Sequence, residues 1–248
     1  MKILSVLPLL LCAMPLLAQQ TSGTITYEQT ISLELKGNNL PEGLAALIPK
    51  EQKFQKVLYF TPAAALYQNV AAKASNTASY DAGNTGIHIE QHMPDDKVYT
   101  NLANKTITEQ KEFMGRTFLI DKSADALKWK FTGRQKKLLD LPCLEATAIR
   151  EKDTLVAWYS PSIPVSIGPE SVGGLPGAIL ELSVGPVLKL KATTINAADV
   201  AAKIKAPTKG RKITASDFDK IVKEKEEEMR KKFGGGEGNT MIILNPSE

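Results

Sequence analysis

Residues Trp158–Leu182 read WYSPSIPVSIGPESVGGLPGAILEL, and this stretch constrains the fold more than any other. It holds prolines at 161, 164, 169 and 176 and glycines at 168, 173, 174 and 177, flanked by two apolar runs. Proline fixes φ and glycine opens positive φ, so this density of both encodes one defined loop path. The loop carries no histidine, cysteine or lysine, and its only acids are Glu170 and Glu181. It specifies shape rather than chemistry.

Strand patterns surround it on both sides. Ala178–Val184 and Leu188–Ile195 follow it across Gly185-Pro186, and Cys143–Arg150 and Thr154–Ser160 precede it. Further upstream, Gly86–His92, Lys97–Asn101, Lys105–Lys111, Arg116–Ile120 and Leu127–Thr132 recur at short intervals. Gly, Pro, Asp or Asn bound most of them, the signature of an antiparallel meander. Gly23–Leu35 alternates β-formers with polar residues, and Gln52–Phe60 and Ala65–Val70 read as a strand pair turning at Thr61-Pro62. Leu40–Pro49 fits a short helix and Ala71–Thr85 a long loop. The pattern predicts an α+β fold, mostly antiparallel β: a strongly curved sheet or half-barrel of about nine to eleven strands with a C-terminal helix.

The two ends differ from this body. Residues 1–18 read as a signal peptide, with Lys2 as the positive start, Ile3–Leu17 as the apolar run and Ala18 at the cut. Residues 19–200 then form the β-rich domain, and 201–248 a helical extension and tail. Ile213–Phe233 opens on Thr214 and Ser216, each with an aspartate three residues later, and places Phe218, Ile221 and Val222 on one helical face. Lys223–Lys232 is almost wholly charged, which fits a solvated helix face, and Gly234–Gly236 ends it.

Composition narrows the function classes. The 248 residues carry a formal charge of +4 with cations and acids interspersed, so no nucleic-acid footprint stands out. Loss of a signal would remove Cys12 and leave Cys143 alone, which excludes an internal disulfide. Cys143 sits in a strand pattern and reads as a small buried hydrophobe rather than a nucleophile. No P-loop, dinucleotide fingerprint, CxxC pair, EF-hand loop or nucleophile elbow is present, and no cofactor is implied. One pattern resembles a site. His88, Glu90 and His92 project from one face of a strand, where they could hold zinc or copper, although a solvent-facing strand edge gives the same pattern. Trp129 and Trp158, and the alternating Leu127–Phe131 and Leu188–Lys191, point to core packing; a cavity for an apolar ligand is the functional alternative.

Taken together, Trp158-Tyr159-Ser160-Pro161-Ser162-Ile163-Pro164, Gly168-Pro169 and Gly174-Leu175-Pro176-Gly177-Ala178-Ile179-Leu180 resemble the GLPGLI family of exported proteins of Gram-negative bacteria. The start Gly23–Glu28, Trp129-Lys130 with Lys136-Lys137, and Cys143 with Ala146 extend the resemblance over most of the chain. Ala178 departs from it where the family has a second leucine. The family has no established activity, so the resemblance implies an address and a shape: periplasm or cell envelope, and a fold like that of periplasmic lipoprotein carriers. Trp158, Tyr159, Pro164, Gly168, Pro169, Gly174, Leu175, Pro176 and Gly177 become motif residues with a structural role. The leading expectation is a non-enzymatic protein that binds an apolar ligand or an envelope partner, with no nucleic acid and no transmembrane span. A metal-handling protein and a hydrolase with a site assembled from distant residues are the alternatives.

Overall fold

The computed structural model describes residues 21–32, 50–70, 94–124 and 127–233. Five expectations lie outside these residues: the signal segment, the Leu40–Pro49 helix, the Ala71–Thr85 loop, the strand carrying His88, Glu90 and His92, and the tail from Gly234.

Among the described residues, twelve strands form one sheet. They are β1 Gly23–Ser32, β2 Glu51–Phe60, β3 Ala64–Asn69, β4 Lys97–Asn101, β5 Thr106–Phe113, β6 Arg116–Ser123, β7 Lys130–Leu138, β8 Leu141–Arg150, β9 Asp153–Ser160, β10 Ala178–Val184, β11 Leu188–Ala197 and β12 Arg211–Ile213. Their order is β12-β6-β5-β4-β3-β2-β1-β11-β10-β9-β8-β7. Two meanders therefore meet on β1, which pairs antiparallel with β2 on one side and β11 on the other. The sheet is open, with β12 and β7 at its edges. Every pairing is antiparallel except β12 with β6, which is parallel.

Strand boundaries follow the alternation to within about three residues, with one larger shift. The pattern Leu127–Thr132 starts the strand three residues early and ends it six residues early; the ladder runs from Lys130 to Leu138. Leu127 and Trp129 pack against the core from outside the strand. The register then slips between Phe131 and Gln135 at Gly133, whose φ of 78° suits a glycine. With Lys130, Arg134, Lys136 and Lys137, β7 is a charged, bulged edge, a combination that discourages pairing with another chain.

A single sheet needs cover on its apolar face, and the chain supplies it twice. The segment between β9 and β10, residues 161–177, lies over that face and buries Ile163, Val165, Ile167, Val172 and Leu175 in the main core. At the other end, helix α1 (Ala215–Phe233) sets Phe218 and Val222 on Phe118 and Ile120 of β6. Its start is capped as the sequence predicts. The Thr214 hydroxyl accepts from the Asp217 amide at 3.1 Å and donates to the Asp217 carboxylate at 2.8 Å, which holds that carboxyl below its usual range. The opposite face is crossed by residues 198–210 on their way from β11 to β12; Val200 is buried there and the Lys203 ammonium lies 5.5 Å from the Tyr59 ring. No helix among the described residues is long and apolar enough to cross a membrane.

Candidate functional site: a polar seat beneath the Pro/Gly loop

The loop is stiff because its own backbone bonds alternate with burial. Ile163, Val165 and Ile167 point into the core while Ser162, Pro164 and Ser166 face solvent. Val165 N–H donates to Ile163 O at 2.8 Å and Ile167 N–H to Val165 O at 2.9 Å, a run of three-residue turns. The segment then returns to β10: Ala178 N–H donates to Ile163 O at 3.0 Å and Ile179 N–H to Ile167 O at 2.9 Å. Two side chains from elsewhere pin it. The Trp129 indole N–H donates to Gly173 O at 2.9 Å, and the buried Tyr27 hydroxyl donates to Ile179 O at 2.6 Å. Trp129→Phe should therefore lower stability by about 1 kcal/mol, read by denaturant unfolding.

Each motif residue has a physical place in this arrangement. A Cβ on Gly168 would stand 2.5 Å from Val172 O and 2.8 Å from Ile179 Cδ1. Pro169 is buried and opens a 3-10 turn, Pro169–Ser171, which touches β3 and β4. Gly174 has φ 88° and sits against the Trp129 ring. Leu175 is buried, whereas Pro164 and Pro176 are exposed. Tyr159 is buried on the apolar face, with its ring centroid 6.2 Å from that of Phe131. Trp158 lies on the opposite face, with the Lys136 ammonium 4.1 Å over its ring and 2.9 Å from the Glu181 carboxylate. Cys143 is free and buried, and burial raises its thiol pKa, as expected of an inert cysteine.

The chemistry gathers where the tip of the loop meets the other meander. Register aligns Tyr27, Lys56 and Asn69 in one row across the sheet. It aligns Leu58, Tyr67, Val98, Glu109 and Ile120 in the next. Lys111, one pleat along β5 from Glu109, shares that face, and Asp96 stands just before β4. The tip brings Glu170 onto this patch. Glu170 and Ser171 are consecutive non-glycine residues in the left-handed region, φ 52° and 63°, a conformation that costs energy and must be held by its surroundings.

The electrostatics of the patch are uneven. Burial pushes the Glu170 carboxyl above the usual carboxylate range; Lys56 and Lys111 pull it down, and Glu109 and Asp96 push it up. Asp96 is also raised, chiefly by burial, although it accepts from the Glu112 amide at 2.8 Å. Glu109 is bridged to Lys122 at 2.7 Å and to Lys111 at 3.9 Å. Tyr67, only 3% exposed, meets Tyr27 edge-on at 6.2 Å. Its hydroxyl lacks a hydrogen bond of sound geometry, as does Oε1 of the buried Gln29. Burial and then the Glu170 charge raise the Tyr67 pKa well above that of a free phenol. Buried polar atoms without partners are rare, and the Tyr67 hydroxyl is one beside a shifted carboxyl.

A pH prediction follows from the raised carboxyls. A folded-state pKa above the unfolded one means the folded protein binds the proton more tightly. Stability is then full below the unfolded value and declines as pH climbs through the folded one. Glu170→Gln should thus gain stability relative to the wild type between pH 4 and pH 7, because glutamine mimics the neutral acid at both. Paired denaturant melts at the two pH values measure this, and an unchanged difference would refute it.

These seat residues are scattered through the sequence, and the sequence reading did not assemble them. One signal was present: in Gln52–Phe60, Lys56 interrupts the period-two apolar face of Phe54, Leu58 and Phe60. His88, Glu90 and His92 lie outside the described residues. Within those residues, no group of three or more His, Cys, Asp or Glu is arranged to hold a metal ion.

Comparison with known proteins gives a fold and a family match over part of the chain. Two solved structures of PNGF-II, in space groups C2 and P21, each align with a TM-score of 0.53 at 14% identity. Each alignment covers 82% of this chain but 33% of the PNGF-II chain, so this chain spans about a third of that protein's length. At that identity the likeness shows the fold alone. No curated protein matches the chain. Residues 67–181, from Tyr67 through the whole Pro/Gly loop to Glu181, match the model of a family described as protein of unknown function, Porph_ging.

Proposed function

We propose that the chain is an exported GLPGLI-type protein of the periplasm or cell envelope that binds a ligand or partner rather than catalysing a reaction. The GLPGLI assignment is supported by the overlap of the family match with the Trp158–Leu182 motif. The observation that favours binding is the loop itself. Five aliphatic side chains of the chain's own loop occupy the face on which a lipid carrier would hold its cargo. What that face still offers is polar: Tyr67, Lys56, Lys111 and Asp96 beside the loop tip. A polar ligand or the polar surface of an envelope partner suits this patch better than a lipid. Native mass spectrometry of the protein recovered from its own envelope tests the reading. A species bound to the wild type and lost from Lys56→Met supports it; an unliganded, unpartnered wild type at native abundance contradicts it.

A second reading is a hydrolase, favoured by the two raised carboxyls, Asp96 and Glu170, which could share general-acid work. Hydrolysis of a chromogenic ester or glycoside panel, lost in Asp96→Asn without loss of fold, would replace binding by catalysis.

A further inference from the structure

We propose that the C-terminal strand–helix unit, β12 with α1, is exchangeable between copies of the chain. It lifts from β6 as one piece while the rest of the sheet stays folded, and the socket it leaves takes the same unit from a second copy.

The socket is separate from the main core. Phe118, Ile120, Phe218 and Val222 form their own cluster, edged by Phe113, Ile213 and Ile221, and share no member with the cluster beneath the Pro/Gly loop. Lifting the unit therefore leaves the loop-covered core in place. The attachment is also narrow. β12 pairs with β6 over three residues, Arg211 to Ile213 against Phe118 to Ile120, and none of the three β12 side chains is buried. Of the α1 side chains as far as Glu228, only Phe218 and Val222 are buried. No side chain between Val200 and Phe218 is buried, which makes residues 201–210 a tether. Extended, ten residues reach about 33–36 Å.

What the unit leaves behind is specific. Two rings of the sheet meet Phe218 edge-on, Phe113 at 6.1 Å and Phe118 at 5.5 Å, and the Lys111 ammonium lies 5.5 Å from the Phe218 ring centroid. Two ring edges and a cation suit an aromatic anchor. Beside them, the backbone of Phe118 to Ile120 becomes an open edge that an incoming strand completes. The occupant that matches both halves is a short strand followed by a capped helix with phenylalanine in its first turn. A second copy supplies that sequence and repeats every contact the unit makes within its own chain. Each copy then gives one unit and receives one, which closes a reciprocal dimer without any new interface having to be built.

Competition by a peptide is the test. A fluorescent peptide of residues 209–233 is added to the full-length chain, and binding is followed by anisotropy. The peptide competes with the resident unit, so its apparent affinity is the intrinsic one reduced by the fraction of chains that are open. Phe218→Ala in the full-length chain weakens the resident unit and should tighten peptide binding by about tenfold or more. The same substitution in the peptide should abolish binding. Sizing with light scattering should show the wild-type chain dimerising as its concentration rises, and excess peptide should suppress the dimer. No binding to either chain, or equal affinity for the wild type and the Phe218→Ala chain, overturns the proposal. Peptide binding to a chain that stays monomeric at every concentration confines the unit to its own copy and overturns it as well.

Discussion

Gly177→Val should destabilise the protein by on the order of 3 kcal/mol or more, lowering its melting temperature by about 10 °C. The reason is space. A Cβ on Gly177 would collide with the carbonyl oxygen of Ser160 and stand 2.7 Å from its carbonyl carbon and 3.0 Å from Pro161 N. All three are backbone atoms of the segment where the chain leaves β9, so a rotamer change cannot relieve the clash. Either the loop exit or the end of β9 has to move, and both belong to the main core. Ser160 is itself fixed, donating its hydroxyl to Pro142 O at 2.8 Å. Pro176→Ala, one residue earlier, is a useful contrast. Pro176 is exposed, and its loss acts mainly by loosening the unfolded chain, for a cost of about 0.4–1 kcal/mol. Thermal melts of the two variants separate the effect of packing from that of chain stiffness.

Leu175→Ala is the second large effect, expected to cost about 2–5 kcal/mol in denaturant unfolding. Leu175 is 1% exposed and packs in the same cluster as Ile163, Val165, Ile167 and Val172. Each such side chain contributes about 1.5–3 kcal/mol when withdrawn from water. Together they rival the net stability of an ordinary domain, which is about 5–15 kcal/mol. A surface loop that merely joined two strands would lose far less. A cost under 1 kcal/mol would show that the cluster collapses around the missing side chain or that the loop is not part of the core.

The sequence disclosed the sheet more readily than the seat, for a physical reason. Period-two alternation is local, so β4, β9 and β10 could be read nearly to the residue, and the Thr214/Asp217 cap marked the helix start. Pairing is not local. That β1 would stand between β2 and β11, or that Arg211–Ile213 would run parallel beside β6, depends on contacts far apart in the chain. The three-residue β12 has too little pattern to announce itself. The seat is harder still: Glu170 meets Tyr67 and Lys56 only because the loop crosses to the other meander. The Pro/Gly motif told of a fixed path without saying where the path led. Lys56, a cation between Phe54 and Leu58 on an otherwise apolar face, was the trace it left in sequence.

The claim that residues 161–177 are a built-in layer of the core, rather than a connecting loop, is tested most directly by native-state amide hydrogen exchange. Val165, Ile167, Ala178 and Ile179 donate the backbone hydrogen bonds that hold the segment together and tie it to β10. If the loop is part of the core, the amides of Val165 and Ile167 will be protected to nearly the same degree as those of β10 and β11, and will open only with global unfolding. Exchange of Val165 and Ile167 at the rate of an exposed loop, while β10 and β11 remain protected, would contradict it.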